Sequence, residues 1–111
     1  MKLNQFFSGF EGMKITETRC MHEEYVEIVF LNQDLTEWYK LLSAKLGEPR
    51  KGPGVEPTGS DLEVSRSTGG IWVNQTLFEK SFGDATVIAK FWPWSDGVHT
   101  TLKMALLIHR D

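Results

Sequence analysis

Two short signals constrain this chain more than any other feature. Gly83-Asp84 and Asp96-Gly97 bracket the apolar run ATVIAKFW (85–92). Such pairs are tight-turn signals, because Gly and Asp accept the backbone angles that hairpins demand. A two-residue turn at Asp96-Gly97 sets Ser95 opposite Val98 and fixes the ladder behind it. One face then receives Ala85 with Ile108, Val87 with Leu106, Ala89 with Met104 and Phe91 with Leu102. All eight are apolar, so this face is core. A slip of one residue would bring Lys90 and Lys103 among them.

The same register defines an opposite face. There Trp94 pairs with His99, Trp92 with Thr101, Lys90 with Lys103, Ile88 with Ala105 and Thr86 with Leu107. Pairing across Gly83-Asp84 adds Ile71, Val73, Gln75, Leu77 and Glu79. This face is too apolar for solvent and too polar for a dry core. Lys90 across from Lys103 is unfavourable by a few tenths to about 1 kcal/mol. A carboxylate or a bound anion would relieve it, and Glu79 stands diagonal to Lys90. Pro93 falls opposite Thr100 at a hydrogen-bonded position, which calls for a bulge or for a connection longer than two residues.

The rest of the chain supplies the other elements. Leu3, Phe6, Phe7 and Phe10 fall at helical spacing, although Gly9 and Gly12 weaken that reading, and these phenylalanines are expected to pack on the body. MKITETRC (13–20) and EYVEIVFL (24–31) read as strands, with Val26, Ile28 and Phe30 inward. Asp34 and Glu37 fit a capping box ahead of a helix whose face is Leu35, Trp38, Tyr39, Leu42 and Leu46, stopped by Gly47 and Pro49. GEPRKGPGVEPTGS (47–60) is a long Gly/Pro loop, read as a mobile solvated segment rather than a phosphate loop, since no G-K-[ST] closes it. DLEVSR (61–66), 71–82, 85–92 and 97–109 read as strands. The expectation is a single α+β domain over 1–111. It carries an antiparallel sheet of five to six strands in the order ββ-α-ββββ, with one amphipathic helix packed on one face.

DLTEWYKLLSAKLGEP (34–49) resembles the helix of a βαβββ unit in the vicinal oxygen chelate family. The resemblance covers about sixteen residues, and it would imply two such units with His and Glu ligands on facing strands. This chain offers one helix and no such ligand set, so membership is not inferred.

Charge and cysteine usage narrow the classes of function. The net charge is −3 across 111 residues, which gives no positive field to gather a polyanion. Cys20 is the sole cysteine, so no intrachain disulfide forms, and a buried thiol in a reducing compartment is the plain reading. No apolar run approaches a membrane span, and MKLNQFFSGFEG does not read as a signal peptide, so a cytoplasmic location is expected. HEE (22–24) lacks partners at metal-ligand spacing, and neither a metal nor a cofactor is expected.

One helix cannot cover both faces of such a sheet. The leading expectation is therefore a binding or assembly module working through the second face around Trp92 and Trp94. Its occupant would be a second copy in a homodimer, or a small apolar or anionic ligand held by Trp92, Trp94, His99, Thr101, Lys90, Lys103 and Gln75. The alternative is an enzyme working in a cleft between the sheet and the 47–60 loop, with His99 as acid or base and Lys90 or Lys103 on an anionic group, although no nucleophile is placed by spacing. A lesser alternative is single-stranded nucleic acid stacked on the tryptophans, which requires Arg50, Lys51, Lys90 and Lys103 to line up beside them.

Overall fold

A computed structural model describes residues 2–7 and 12–108; Phe10, His109 and the side chain of Phe7 lie outside what it describes. Five strands form one antiparallel sheet: β1 (Glu17–Met21), β2 (Tyr25–Leu31), β3 (Thr76–Phe82), β4 (Ala85–Pro93) and β5 (His99–Ile108), in the spatial order β1-β2-β5-β4-β3. The chain is one compact α+β unit, as the order of elements implied. No helix among the described residues is long and apolar enough to cross a membrane.

The register read from the turn signals is the observed one. Ala85 meets Ile108, Ala89 meets Met104, Phe91 meets Leu102, and Trp92 meets Thr101. Gly83-Asp84 closes a two-residue turn between Phe82 and Ala85, with Gly83 at φ 75°. The other turn is longer than expected. The Trp94 N–H donates to the His99 carbonyl at 2.9 Å, so Ser95–Val98 form a four-residue connection. That shifts the hydrogen-bonding phase by one residue while keeping the same partners. Pro93 then sits at a non-hydrogen-bonded position opposite Thr100, where its missing N–H costs the β4–β5 ladder nothing, and the ladder runs through it without a bulge.

The first face is dry. Helix α2 (Leu35–Leu46) lays Trp38, Leu42 and Leu46 on it, all buried, with Trp38 stacked 5.1 Å from Phe30 and Phe30 edge-on to Phe91 at 5.6 Å. Burying an indole of this size removes about 150–250 Å² from water, worth roughly 4–6 kcal/mol before entropy. Two details of the helix differ from expectation. Asp34 makes no side-chain cap, because a 3₁₀ turn over Asn32–Asp34 leads into the helix, and Leu35 stays on the exposed side. The short helix α1 (Leu3–Phe7) joins the same core: Leu3 is fully buried and Phe6 meets Phe82 edge-on at 6.3 Å.

Segment 61–66 corrects the sequence reading. It is not a sixth strand but helix α3 (Gly59–Val64), followed by a 3₁₀ turn over Arg66–Thr68. A complete capping box decides it: the Thr58 hydroxyl accepts from the Asp61 N–H at 3.1 Å, and the Asp61 carboxylate accepts from the Thr58 N–H at 2.9 Å. The inward stripe is Asp61, Ser65 and Thr68, while Leu62 faces solvent, so the apolar alternation there misled. The loop before it is also not a free solvated segment. Arg50 bridges Asp61 at 2.8 Å and Glu79 at 3.0 Å, and Lys51 pairs with Leu77 as an isolated bridge along the β3 edge.

Candidate functional site

The second face divides into two halves with different covers. Over one half lies the chain's own segment after α3. Ile71, Leu77, Ile88 and Ala105 pack there as a small second core, flanked by Tyr25, Val64 and Leu107. Gly69 and Gly70 hold φ 90° and 83°, left-handed angles that cost an L side chain about 1–2 kcal/mol each. These angles turn the segment back on itself, and the carbonyls of Thr68 and Gly70 then accept from the Lys90 ammonium at 2.6 and 2.7 Å. Lys90 is completely buried beneath them. Burial, reinforced by Lys103 and partly offset by Glu27, pushes its pKa down to about 8.

Lys51 is held in the same manner. Its ammonium donates to the carbonyls of Gly52, Val73 and Gln75 at 2.9, 2.9 and 2.6 Å, and burial lowers its pKa despite Asp61 and Glu56. For Asp61, burial alone would raise the pKa. The Thr58 N–H and hydroxyl and the Arg50 guanidinium outweigh that and keep it below the usual carboxylate range.

The other half of the face is open. A cleft of about 680 Å³ lies over it, floored by Glu27, Thr101 and Lys103, walled by Trp92, Pro93 and Trp94, and rimmed by Arg19, Asn74 and Ser95. Its size falls in the ordinary range for small-molecule sites. The strand order builds the floor. Because β2 lies against the far side of β5, Glu27 stands directly opposite Lys103, which stands opposite Lys90. Glu27, not Glu79, therefore provides the facing carboxylate; Glu79 is taken by Arg50. The alternation of β2 already put Glu27 outward, but only the crossover order reveals its neighbour. Glu27 also accepts from the Tyr25 hydroxyl at 2.7 Å and pairs with Arg19 at 3.6 Å. Arg19 reaches it because a bulge between Thr18 and Cys20 adds one residue to β1.

The aromatic wall is tied to these cations. Lys103 lies 4.3 Å and Lys90 5.0 Å from the Trp92 ring centre, and Arg19 lies 5.3 Å from that of Trp94. The Trp94 indole N–H donates to the Thr101 hydroxyl at 2.7 Å, which lays the ring across β5. His99 stacks on Trp94 at 4.7 Å, and its Nδ1 meets the Asp96 carboxylate at 2.6 Å. The N–H groups of Val98 and His99 and the imidazole hold the Asp96 pKa down to about 2.

Of the residues expected on this surface, Trp92, Trp94, Thr101 and Lys103 line one cleft. Lys90 lies sealed beside it. His99 supports Trp94 from outside the lining. Gln75 is buried in the turn before β3, where its side-chain oxygen accepts from the Trp72 N–H at 3.1 Å. Arg19, Glu27 and Asn74 were not anticipated; they come from strands or turns whose spatial neighbours the sequence does not name. Of the residues of the enzymatic alternative, Lys103 lies in the cleft floor, Lys90 is buried beside it and His99 is outside the lining. The nucleic-acid alternative needed four basic side chains in line, of which Arg50, Lys51 and Lys90 are engaged internally. Among the described residues, no group of three or more His, Cys, Asp or Glu side chains is placed to hold a metal ion. No protein-family model, no curated protein and no solved structure matches this chain significantly, the vicinal oxygen chelate family included.

Proposed function

We propose that this protein is a small-molecule binding module whose site is the open half of the second sheet face. The observation that supports this reading is the contrast within that face. The chain folds its own segment over Ile88 and Lys90, yet leaves a cavity over Trp92 and Trp94, two side chains that gain most from being covered. An open cleft of this size can seat a compact organic ligand against the indoles. Chemical-shift mapping with benzyl alcohol as a neutral aromatic probe tests it. Saturable shifts centred on Trp92, Thr101 and Lys103, lost in Trp92→Ala, are expected. An absence of shifts at saturating probe overturns the reading.

A second reading is a C2 homodimer through this face. It draws on the exposed Trp72 (64%) and Val73, the two residues that precede the cleft residue Asn74 in the chain. A dimeric mass by light scattering, with Trp92 and Trp72 protected from solvent quenching, would favour it over the ligand.

A further inference from the structure

The chain carries three lysines in or near this face, and two of them have their acceptors built in. Lys51 has three carbonyls and Lys90 has two. Lys103 is different. It is half-buried, lies over the Trp92 ring, and has no hydrogen-bond acceptor within the described residues. The carboxylate it faces is engaged elsewhere, since Glu27 accepts from Tyr25 and pairs with Arg19, and Arg19 is further held by Glu17 at 3.2 Å. Beside Lys103, the Thr101 hydroxyl accepts from the Trp94 indole and so keeps its own hydrogen to give. The cleft floor therefore presents the Lys103 ammonium without an acceptor, opposite Lys90 and beside the buried Thr101 hydroxyl, in a protein whose net charge is −3.

We infer that the ligand of this cleft is an oxyanion, a carboxylate or phosphate, carried on a flat apolar body. This rests on the binding reading above and sharpens it. The anionic group meets the Lys103 ammonium and the Thr101 hydroxyl, and the body lies against Trp92 and Pro93. Binding supplies the acceptor Lys103 lacks and relieves the repulsion between Lys103 and Lys90. Charge-assisted bonds of this type are the stronger ones, and partial burial beside an indole shields them from solvent.

Isothermal titration with benzoate, phenyl phosphate, benzyl alcohol and inorganic phosphate tests the inference on the intact chain. At least one aromatic anion should bind ten-fold or more tightly than benzyl alcohol, and the better of the two identifies carboxylate or phosphate as the preferred group. Lys103→Met should erase that advantage, bringing the anion down to the affinity of benzyl alcohol for the same variant, and Lys103→Arg should retain most of it. Unchanged thermal melting of both variants keeps the comparison valid. Were Lys103→Met to unfold, raising salt from 50 to 500 mM on the unmodified protein replaces it, with a several-fold loss expected for the anion alone. Equal affinity for benzyl alcohol and both anions overturns the oxyanion while leaving the binding site intact. Inorganic phosphate binding as tightly as phenyl phosphate overturns the flat body. Failure of all four probes removes the binding reading itself.

Discussion

The two faces of this sheet solve the same problem with opposite materials. The first is sealed by hydrocarbon: α2 and α1 lay Trp38, Leu42, Leu46 and Leu3 over an apolar surface, and the buried charged side chains among the described residues, Lys51, Asp61 and Lys90, all belong to the second. The second is sealed over only half its area, by a small apolar cluster fastened with polar contacts: the buried ammoniums of Lys51 and Lys90 on backbone carbonyls, and the partly exposed Arg50 on the Asp61 carboxylate. A hydrocarbon cover is indifferent to where its neighbours' dipoles point, so it spreads across the whole face. A carbonyl cage works only where the backbone can be turned to aim at one ammonium, so it covers a patch and stops. The open cleft begins where those carbonyls end.

That contrast is testable by removing matched parts. Trp38→Ala should cost about 3–5 kcal/mol, because it leaves an indole-sized void in a packed layer, whereas Trp92→Ala at the open half should cost under about 1 kcal/mol. Chemical denaturation of the two variants measures both, and similar losses would abolish the distinction drawn here. Asp61→Ala should come next, at about 2–3 kcal/mol. It breaks the α3 capping box and removes one of the two carboxylates that hold the partly solvated Arg50 guanidinium, leaving Glu79 as the other. The same unfolding assay reads it, and a loss below about 0.5 kcal/mol would mean that the second cover does not rest on this pair.

The remaining effect is a pH dependence. With its folded pKa near 8 and an unfolded value near 10.5, Lys90 binds fewer protons folded than unfolded between those limits. Stability should therefore rise by about 2 kcal/mol from pH 8 to pH 10. Lys51, shifted in the same direction, adds to the rise. Tyr25, whose pKa is raised by burial and by Glu27, opposes it above pH 10, because there the folded state keeps a proton the unfolded chain has lost. Melting temperatures across pH 7–11 should show the climb in the unmodified protein and a flattened one in Lys90→Met. A flat profile in both would show that the ammonium is better solvated than its cage implies.

How much of this was legible in the sequence depends on the range of the interaction that decides it. The β4–β5 and β3–β4 pairing could be read because short turns tie partners together locally and a slip would put Lys90 into the core. The helix α2 could be read because its periodicity and its stop lie within fifteen residues. Segment 61–66 was misread because Leu62 and Val64 alternate like a strand, while the deciding contacts, Thr58 with Asp61 and Asp61 with Arg50, are polar and one of them spans eleven residues. Glu27 and Arg19 were missed at the site because the seat of β2 beside β5 is set by a crossover. Trp92, Trp94, Thr101 and Lys103 were found together because they share one register; Gln75 was extrapolated along a strand that begins one residue later, at Thr76.

The two caged ammonium groups have one more consequence. Each fills a set of converging backbone carbonyls of the kind that elsewhere coordinates a metal cation, except that this cation is part of the chain. Lys51 reaches from the loop to the carbonyls of Val73 and Gln75, and Lys90 reaches from the sheet to those of Thr68 and Gly70, so a single stretch of backbone is pinned from two directions. A fastener of this kind cannot be lost to a chelator or by dilution. It is present at fixed stoichiometry from the moment the chain is made.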